Sequence, residues 1–225
     1  MRRIVVAGAS RGLGAVIAHH YVAAGDDVIA LSRTPSASGD WIACDLADSE
    51  AITRVGGTIA GAVDVLIFVA GIWEAEAFSD DYSFAGSSSE EISRVIAVNL
   101  QAPILLSKAL LPQLLAAGSA RIVLIGSTSG LDNIGTPEVA YNASKAGLRG
   151  AAQALAQALA VQGLSVSVLN PGDIGTNNVL DAKARGGMRP GGNLPMSDLL
   201  VAVDFLLALS PQATLCEVNL IPLGS

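Results

Sequence analysis

The sequence predicts a doubly wound α/β fold: one domain spanning residues 1–225, built on a parallel β-sheet of about seven strands with helices on both faces. Three observations predict it. Short runs rich in Val, Ile and Leu alternate with longer periodic segments, the pattern of successive βαβ units. The strand-like runs are apolar throughout rather than alternating, as strands covered on both faces require. The composition is 51% hydrophobic with a mean hydropathy of +0.52, yet no apolar run approaches the ~18 residues of a spanning helix. The surplus fits a doubly covered sheet or a large subunit interface.

The elements follow in order. "RIVVAGA" and "DDVIAL" read as strands, with the periodic "GAVIAHHYVAAG" between them as a helix closed by Gly25. "WIACD" is a strand, "DSEAITRVGGTIA" a weak helix and "VDVLIFVAG" an apolar strand. "SEEISRVIAVNLQAPILLSKALLPQLLAAG" carries one or two helices with a proline in the middle. "ARIVLIGS" is a strand, 138–162 a long helix and "LSVSVLNPG" a strand. "SDLLVAVDFLLAL" is a helix and "TLCEVNLI" a last strand. Two segments lack periodicity, about 72–89 and 173–196. Both follow strands, so both belong at the carboxyl edge of the sheet, where ligands bind in such folds. Residues 173–196 are the expected substrate-loop segment, a site wall or lid.

Charge and composition narrow the function. A net charge of −7 argues against nucleic-acid binding through a general basic surface. The N-terminal "MRRIVVAGAS" is basic and then apolar, but its apolar run is too short for a signal peptide and leads straight into glycines. The expected setting is therefore the cytoplasm, with no membrane span. Cys44 and Cys216 make neither a disulfide framework nor a ligand cluster. No His/Cys/Asp/Glu group has metal-ligand spacing, and no metal is expected. His19 and His20 fall on the first helix, away from the carboxyl edge.

"AGASRGLG" sets Gly8, Gly12 and Gly14 in the turn between the first strand and first helix. Glycine permits a tight turn there and lets backbone N–H groups approach a pyrophosphate at the helix N-terminus. The second strand ends in "ALSRT". Ser32 stands where NAD sites place an acid for the ribose 2′-hydroxyl. Arg33 follows it, and Arg11 lies inside the glycine turn. Two guanidiniums and a missing acid favour a 2′-phosphate, hence NADP, with NAD as the alternative.

"YNASK" puts Tyr141 and Lys145 four residues apart, on one face of the long helix. A phenol ordinarily titrates near pH 10. An adjacent ammonium would lower that value and make the phenol an acid or base near neutrality. The same spacing also suits two solvated surface residues, so the surroundings decide. Just upstream, a strand ends in "GSTSG", offering Ser127, Thr128 and Ser129 to a substrate carbonyl. Downstream, a strand ends in "NPGDIGT", a loop suited to a cofactor.

Taken together and in this order, these motifs resemble the short-chain dehydrogenase/reductase family over essentially all 225 residues. "AGASRGLG" looks like its glycine motif, "CDL" its adenine-side acid at Asp45, and "VAG" at 69–71 the end of its fourth-strand motif. "VNL" carries its asparagine at Asn99, "GSTSG" its serine, "YNASK" its Tyr-x-x-x-Lys, and "NPGDIGT" its cofactor loop.

The resemblance implies a Rossmann-type fold and a set of roles. Tyr141 would exchange a proton with the carbonyl oxygen. Lys145 would hold the nicotinamide ribose and depress the tyrosine pKa. Ser127, or Thr128 if the spacing is aligned without an insertion, would polarise the carbonyl. Asn99 would hold a water-linked proton path to Lys145. Gly8, Ser10, Arg11, Gly12, Leu13 and Gly14 would cradle the cofactor at the glycine turn, and Ser32, Arg33, Asp45 and Leu46 at its adenine half. Ala70 and Gly71 would also touch the cofactor, and Tyr141, Lys145, Pro171, Gly172, Ile174 and Thr176 would hold its nicotinamide half.

Four departures stand out. Phe68 and Val69 replace two usual asparagines, which implies altered packing. Ser127 to Tyr141 is one residue longer than the commonest spacing. Ala7 replaces a usual threonine. The last strand lacks a glycine-rich end, which puts the usual tetramer contact in doubt. Trp73, Phe78, Tyr82 and Phe84 suit either a substrate pocket or a loop pinned by its own aromatics. Met188 and Leu194 are placed to touch substrate.

The expected function is an NADP-dependent oxidoreductase that moves hydride between nicotinamide and a small-molecule carbonyl or secondary alcohol. The runner-up is an NAD-dependent alcohol or diol dehydrogenase. A reading of another class is a dinucleotide-binding regulator without turnover. The alanine-rich Tyr/Lys helix is the implied interface of a homodimer or homotetramer.

Overall fold

The computed structural model describes residues 1–175 and 193–223. Seven strands form one parallel sheet in the order β3-β2-β1-β4-β5-β6-β7. They are β1 (Arg3–Ala7), β2 (Asp27–Ser32), β3 (Asp40–Ala43), β4 (Val65–Phe68), β5 (Arg121–Ile125), β6 (Ser165–Pro171) and β7 (Glu217–Leu220). Each register is parallel throughout, Val5 opposite both Ile29 and Leu66 for example. The chain winds outward from β1 to β3, then returns to build β4 on the other side of β1. That reversal opens a crevice at the carboxyl ends of β1 and β4.

Side chains leave a strand on alternate faces, and the strands here are apolar on both. On one side Val5, Leu31, Leu66, Ile122 and Val166 pack under α2 (Ser49–Thr58), α4 (Ala102–Ala109), α5 (Leu111–Ala116) and α6 (Val139–Ala160). On the other, Ile4, Val6, Val28, Ile67 and Val123 pack under α1 (Gly12–Ala23) and α7 (Met196–Ala208). Each such residue, fully buried, contributes about 1.5–3 kcal/mol.

Local chemistry sets the helix ends. Asp48 caps α2 by accepting from the amides of Glu50 (2.9 Å) and Ala51 (3.2 Å). Ser88 caps α3 (Ser89–Ile96) through the Glu91 amide. Pro112 falls in the first turn of α5, where a missing N–H costs nothing, and Pro103 follows directly on the π turn at the start of α4. The run read as one or two helices is in fact α3, a π turn over Ala97–Gln101, α4 and α5. Residues 72–89, read as irregular, hold turns and one 3₁₀ turn at Phe84–Gly86. Among the described residues no helix is long and apolar enough to cross a membrane, and no group of His, Cys, Asp or Glu is placed to hold a metal ion.

Candidate active site

The crevice is a cavity of about 720 Å³, within the range of ligand sites. At its floor β1 runs into Gly8, whose φ of +97° favours glycine and whose added Cβ would lie 2.7 Å from the Ala70 backbone nitrogen. A Cβ on Gly14 would lie 2.1 Å from the Gly8 carbonyl oxygen. The turn and the start of α1 are thus packed backbone to backbone. Arg11, in extended conformation, precedes α1 and makes no side-chain cap. The amides of the first turn therefore lack a side-chain acceptor, and the helix end suits an anion. Gly8, Ser10, Arg11, Gly12, Leu13 and Gly14 all line the cavity.

One arm of the cavity runs past Ser32, Arg33, Asp45 and Leu46. Ser32 is buried, and its hydroxyl donates to the Thr34 carbonyl at 2.7 Å. The Asp45 carboxylate accepts from the Ala47 amide at 2.9 Å and lies 4.0 Å from the Arg94 guanidinium. Arg11 and Arg33 are exposed at the rim. Cys44 and Arg94 also line this arm; sequence reasoning gave neither a place there, because attention in "CDL" fell on Asp45 and Arg94 lies in no motif.

The other arm passes Ala70 and Gly71 and reaches Ser127, Tyr141, Lys145, Pro171, Gly172 and Ile174. Ser127 follows β5 and Tyr141 opens α6, so the sheet edge and the helix bring both hydroxyls to one wall. Ser127 Oγ accepts from the Ser129 amide at 3.1 Å, while Thr128 does not line the cavity. Lys145 is 4% exposed. Its Nζ donates to the Ile125 carbonyl at 3.0 Å and would lie 3.4 Å from a Cβ on Gly71. Thr176 and Met188 lie outside the described residues.

Asn99 is buried behind this wall rather than on it. The π turn, a single helical turn widened by one residue and frequent at functional sites, swings it inward. Asn99 Oδ1 accepts from the Ile72 amide (2.9 Å), and Nδ2 donates to the Ile72 carbonyl (2.7 Å) and to Ser144 Oγ (3.0 Å). Its hydrogen bonds fix the turn after β4, and none goes to Lys145.

The electrostatics differ from the expectation that Lys145 lowers the tyrosine pKa. Burial pushes the Tyr141 phenol above its ordinary value. Interaction with Ser127 pulls it back, and Asp173, Glu138 and Glu74 raise it further. Burial also pushes Lys145 down to about 8. A lysine at helical spacing predicts attraction; enclosure by protein, which spacing does not encode, outweighs it.

Trp73 and Phe78 line the cavity beside Tyr141 and meet its ring edge to face, with centroids 6.4 and 5.5 Å away. Tyr82 and Phe84 do not line it. The Tyr82 hydroxyl accepts from the Val139 amide at 3.3 Å, and Phe84 is exposed. Leu194, expected to touch substrate, is instead buried in the core beneath α7. Met196, at the start of α7, lines the cavity in its place. Phe68 is a buried core residue, and Val69 lines the cavity wall.

A family model described as short chain dehydrogenase matches residues 2–185. Ketoacyl reductase HetN of Nostoc sp. (strain PCC 7120 / SAG 25.82 / UTEX 2576) is 31% identical over 239 residues, covering 99% of this chain and 80% of that protein. The 3-oxoacyl-[acyl-carrier-protein] reductase FabG of Escherichia coli (strain K12) is 33% identical over 186 residues, covering 77% of this chain and 73% of that protein. Among solved structures, a metagenomic short-chain oxidoreductase in complex with NADP superposes with a TM-score of 0.80 at 28% identity, covering 100% of this chain and 98% of that one. A 4-hydroxyisoleucine dehydrogenase complexed with NADH gives 0.83 at 25% identity, covering 99% and 97%.

Proposed function

This chain belongs to the short chain dehydrogenase family, and on that premise we propose that it is an NADP(H)-dependent oxidoreductase acting on a carbonyl or secondary alcohol. The observation that carries the reading is the convergence of Ser127, Tyr141 and Lys145 on one cavity whose far end is the glycine turn. The cofactor, when bound, supplies or accepts the hydride. The residues do the rest. The backbone cradle of Gly8 to Gly14 and the start of α1 hold the pyrophosphate. The Ser127 hydroxyl polarises the carbonyl. Tyr141 gives its proton to the carbonyl oxygen in reduction and takes it back in oxidation. Lys145, beside Gly71 and the Ile125 carbonyl, holds the nicotinamide ribose. Asn99 keeps the chain at Ile72 in place. Trp73 and Phe78 supply an apolar wall beside the carbonyl.

Ser32 in place of an acid, with Arg11 and Arg33 at the rim, favours the 2′-phosphate of NADP. A relative solved with NADP supports the same choice. Similarity to ketoacyl reductases makes 3-oxoacyl thioesters the first substrates to try. The apolar face of α7, where Val201 and Phe205 are exposed, and the small residues of α6 support a homodimer or homotetramer.

The test is NADPH consumption with a panel of 3-oxoacyl thioesters, ketones and quinones. Turnover on at least one, lost in Tyr141→Phe, is the expected result. Tight NADPH binding with no turnover on any of them would point to a dinucleotide-binding regulator instead.

A further inference from the structure

Behind the tyrosine wall two acids stand where no motif calls for them. Glu74 and Glu138 are each 1% exposed. Glu74, in the loop after β4, points its Oε1 at the start of α6, where it accepts from the amides of Ala140 (2.7 Å) and Tyr141 (3.2 Å). Glu138, just before α6, reciprocates by accepting from the Phe78 amide at 2.7 Å. Glu91 of α3 takes the Ala75 amide. The loop so clasped is strained, with Glu76 and Phe78 at φ of 55° and 64°, a region that bulky residues rarely occupy. Each buried carboxylate keeps one oxygen, Oε2, with no hydrogen-bond partner. A buried, half-satisfied acid is costly, and a neutral acceptor would cap the helix without burying a charge.

Resting on the assignment of Tyr141 as the proton donor, we propose that Glu74 is a positioning residue for the reaction. Its carboxylate holds the first turn of α6, and with it the phenol, against the loop that carries Trp73 and Phe78. Helix N-termini attract negative charge, so an acid there fixes both the end of α6 and the aromatic wall. The carboxylate also bears on the proton itself. Among the described residues, the charged and polar groups that act on Tyr141 are Lys145 from α6, Ser127 after β5, Asp173 after β6, Glu138 before α6 and Glu74 after β4. Glu74 is among the negative charges that keep the phenol protonated, as a proton donor must be.

The test is Glu74→Gln beside Glu74→Ala in the full chain. Tyr141 ionisation is followed by NMR of ring-labelled tyrosine, assigned by subtracting Tyr141→Phe from the three tyrosines. Glu74→Gln keeps the acceptor and removes the charge; it is expected to lower the Tyr141 pKa. The rising limb of kcat against pH for alcohol oxidation should move to lower pH by a similar amount. Glu74→Ala removes the acceptor as well; kcat should fall more than about tenfold while the Kd for NADPH stays within about threefold. A Tyr141 pKa within about 0.2 unit of wild type in Glu74→Gln would overturn the proposal, and so would an unchanged kcat in Glu74→Ala. If Glu74→Ala does not fold, Glu74→Gln decides alone. The titration needs no substrate, so it still decides if the wild-type protein turns nothing over, a result that would count only against the oxidoreductase reading.

Discussion

The Lys145 Nζ lies 5.8 Å from the centre of the Tyr141 ring and donates its hydrogen bond to the Ile125 carbonyl at 3.0 Å. Burial, not the tyrosine, governs this lysine, which is pushed down to about 8 from its ordinary 10.5. A folded-state value below the unfolded one means that the unfolded chain binds more protons between pH 8 and 10.5, so stability rises with pH across that window. With a shift of this size, the gain between pH 7.5 and 9.5 is about 2 kcal/mol. Urea unfolding at the two pH values should show it in the wild type. Lys145→Met should remove it and be the more stable protein at pH 7.5.

Tyr141→Phe removes the proposed proton donor and leaves the ring. General acid–base catalysis contributes about 10²–10⁴-fold, so kcat for NADPH-dependent reduction should fall by about that factor. The Kd for NADPH, followed by fluorescence, should stay within about twofold of wild type. An unchanged kcat would mean that another group supplies the proton.

Arg33 stands exposed at the rim of the adenine arm. Arg33→Asp replaces a partner for a 2′-phosphate with an acceptor for a 2′-hydroxyl. kcat/KM with NADPH should fall by more than about tenfold while that with NADH rises. No change in the ratio would place the phosphate elsewhere.

Gly130 lets the loop after β5 touch α6, the helix that carries Tyr141 and Lys145. A Cβ on it would lie 2.6 Å from the Lys145 carbonyl carbon and 2.8 Å from the Ala146 nitrogen. These are backbone atoms, which cannot swing aside. Gly130→Ala should cost about 1–3 kcal/mol in urea unfolding. It should also lower kcat, since it separates Ser127 from Tyr141.

Much of this was legible in the sequence, and the rest fails for identifiable reasons. The parallel sheet follows from strands such as "VDVLIFVAG", apolar on both faces because helices cover both. The glycine turn and Tyr141 with Lys145 announce themselves by spacing. Glu74 and Glu138 do not, because their burial depends on a loop meeting a helix some 66 residues away in sequence, as the Ala140 to Glu74 hydrogen bond does. The inward turn of Asn99 escapes notice because a π turn differs from an α turn by one residue and leaves no periodic mark. Leu194 was misplaced for a related reason. It follows an irregular run, and its bridge to Ile174, which draws it into the core, is a tertiary event.

The π turn at Ala97–Gln101 also governs which changes in chain length the protein tolerates. Upstream, Val95 is buried, and within the turn Val98 is; downstream, Ala102, Leu106 and Leu110 are, and the widened turn keeps them all inward along one nearly continuous rod. Deleting a residue there would rotate everything beyond it by about 100°, turning the apolar stripe of α4 out of the core. Apart from Asn99, whose hydrogen bonds hold Ile72, this stretch should tolerate apolar exchanges better than any change in its count, which makes its length a feature as strictly held as its one polar anchor.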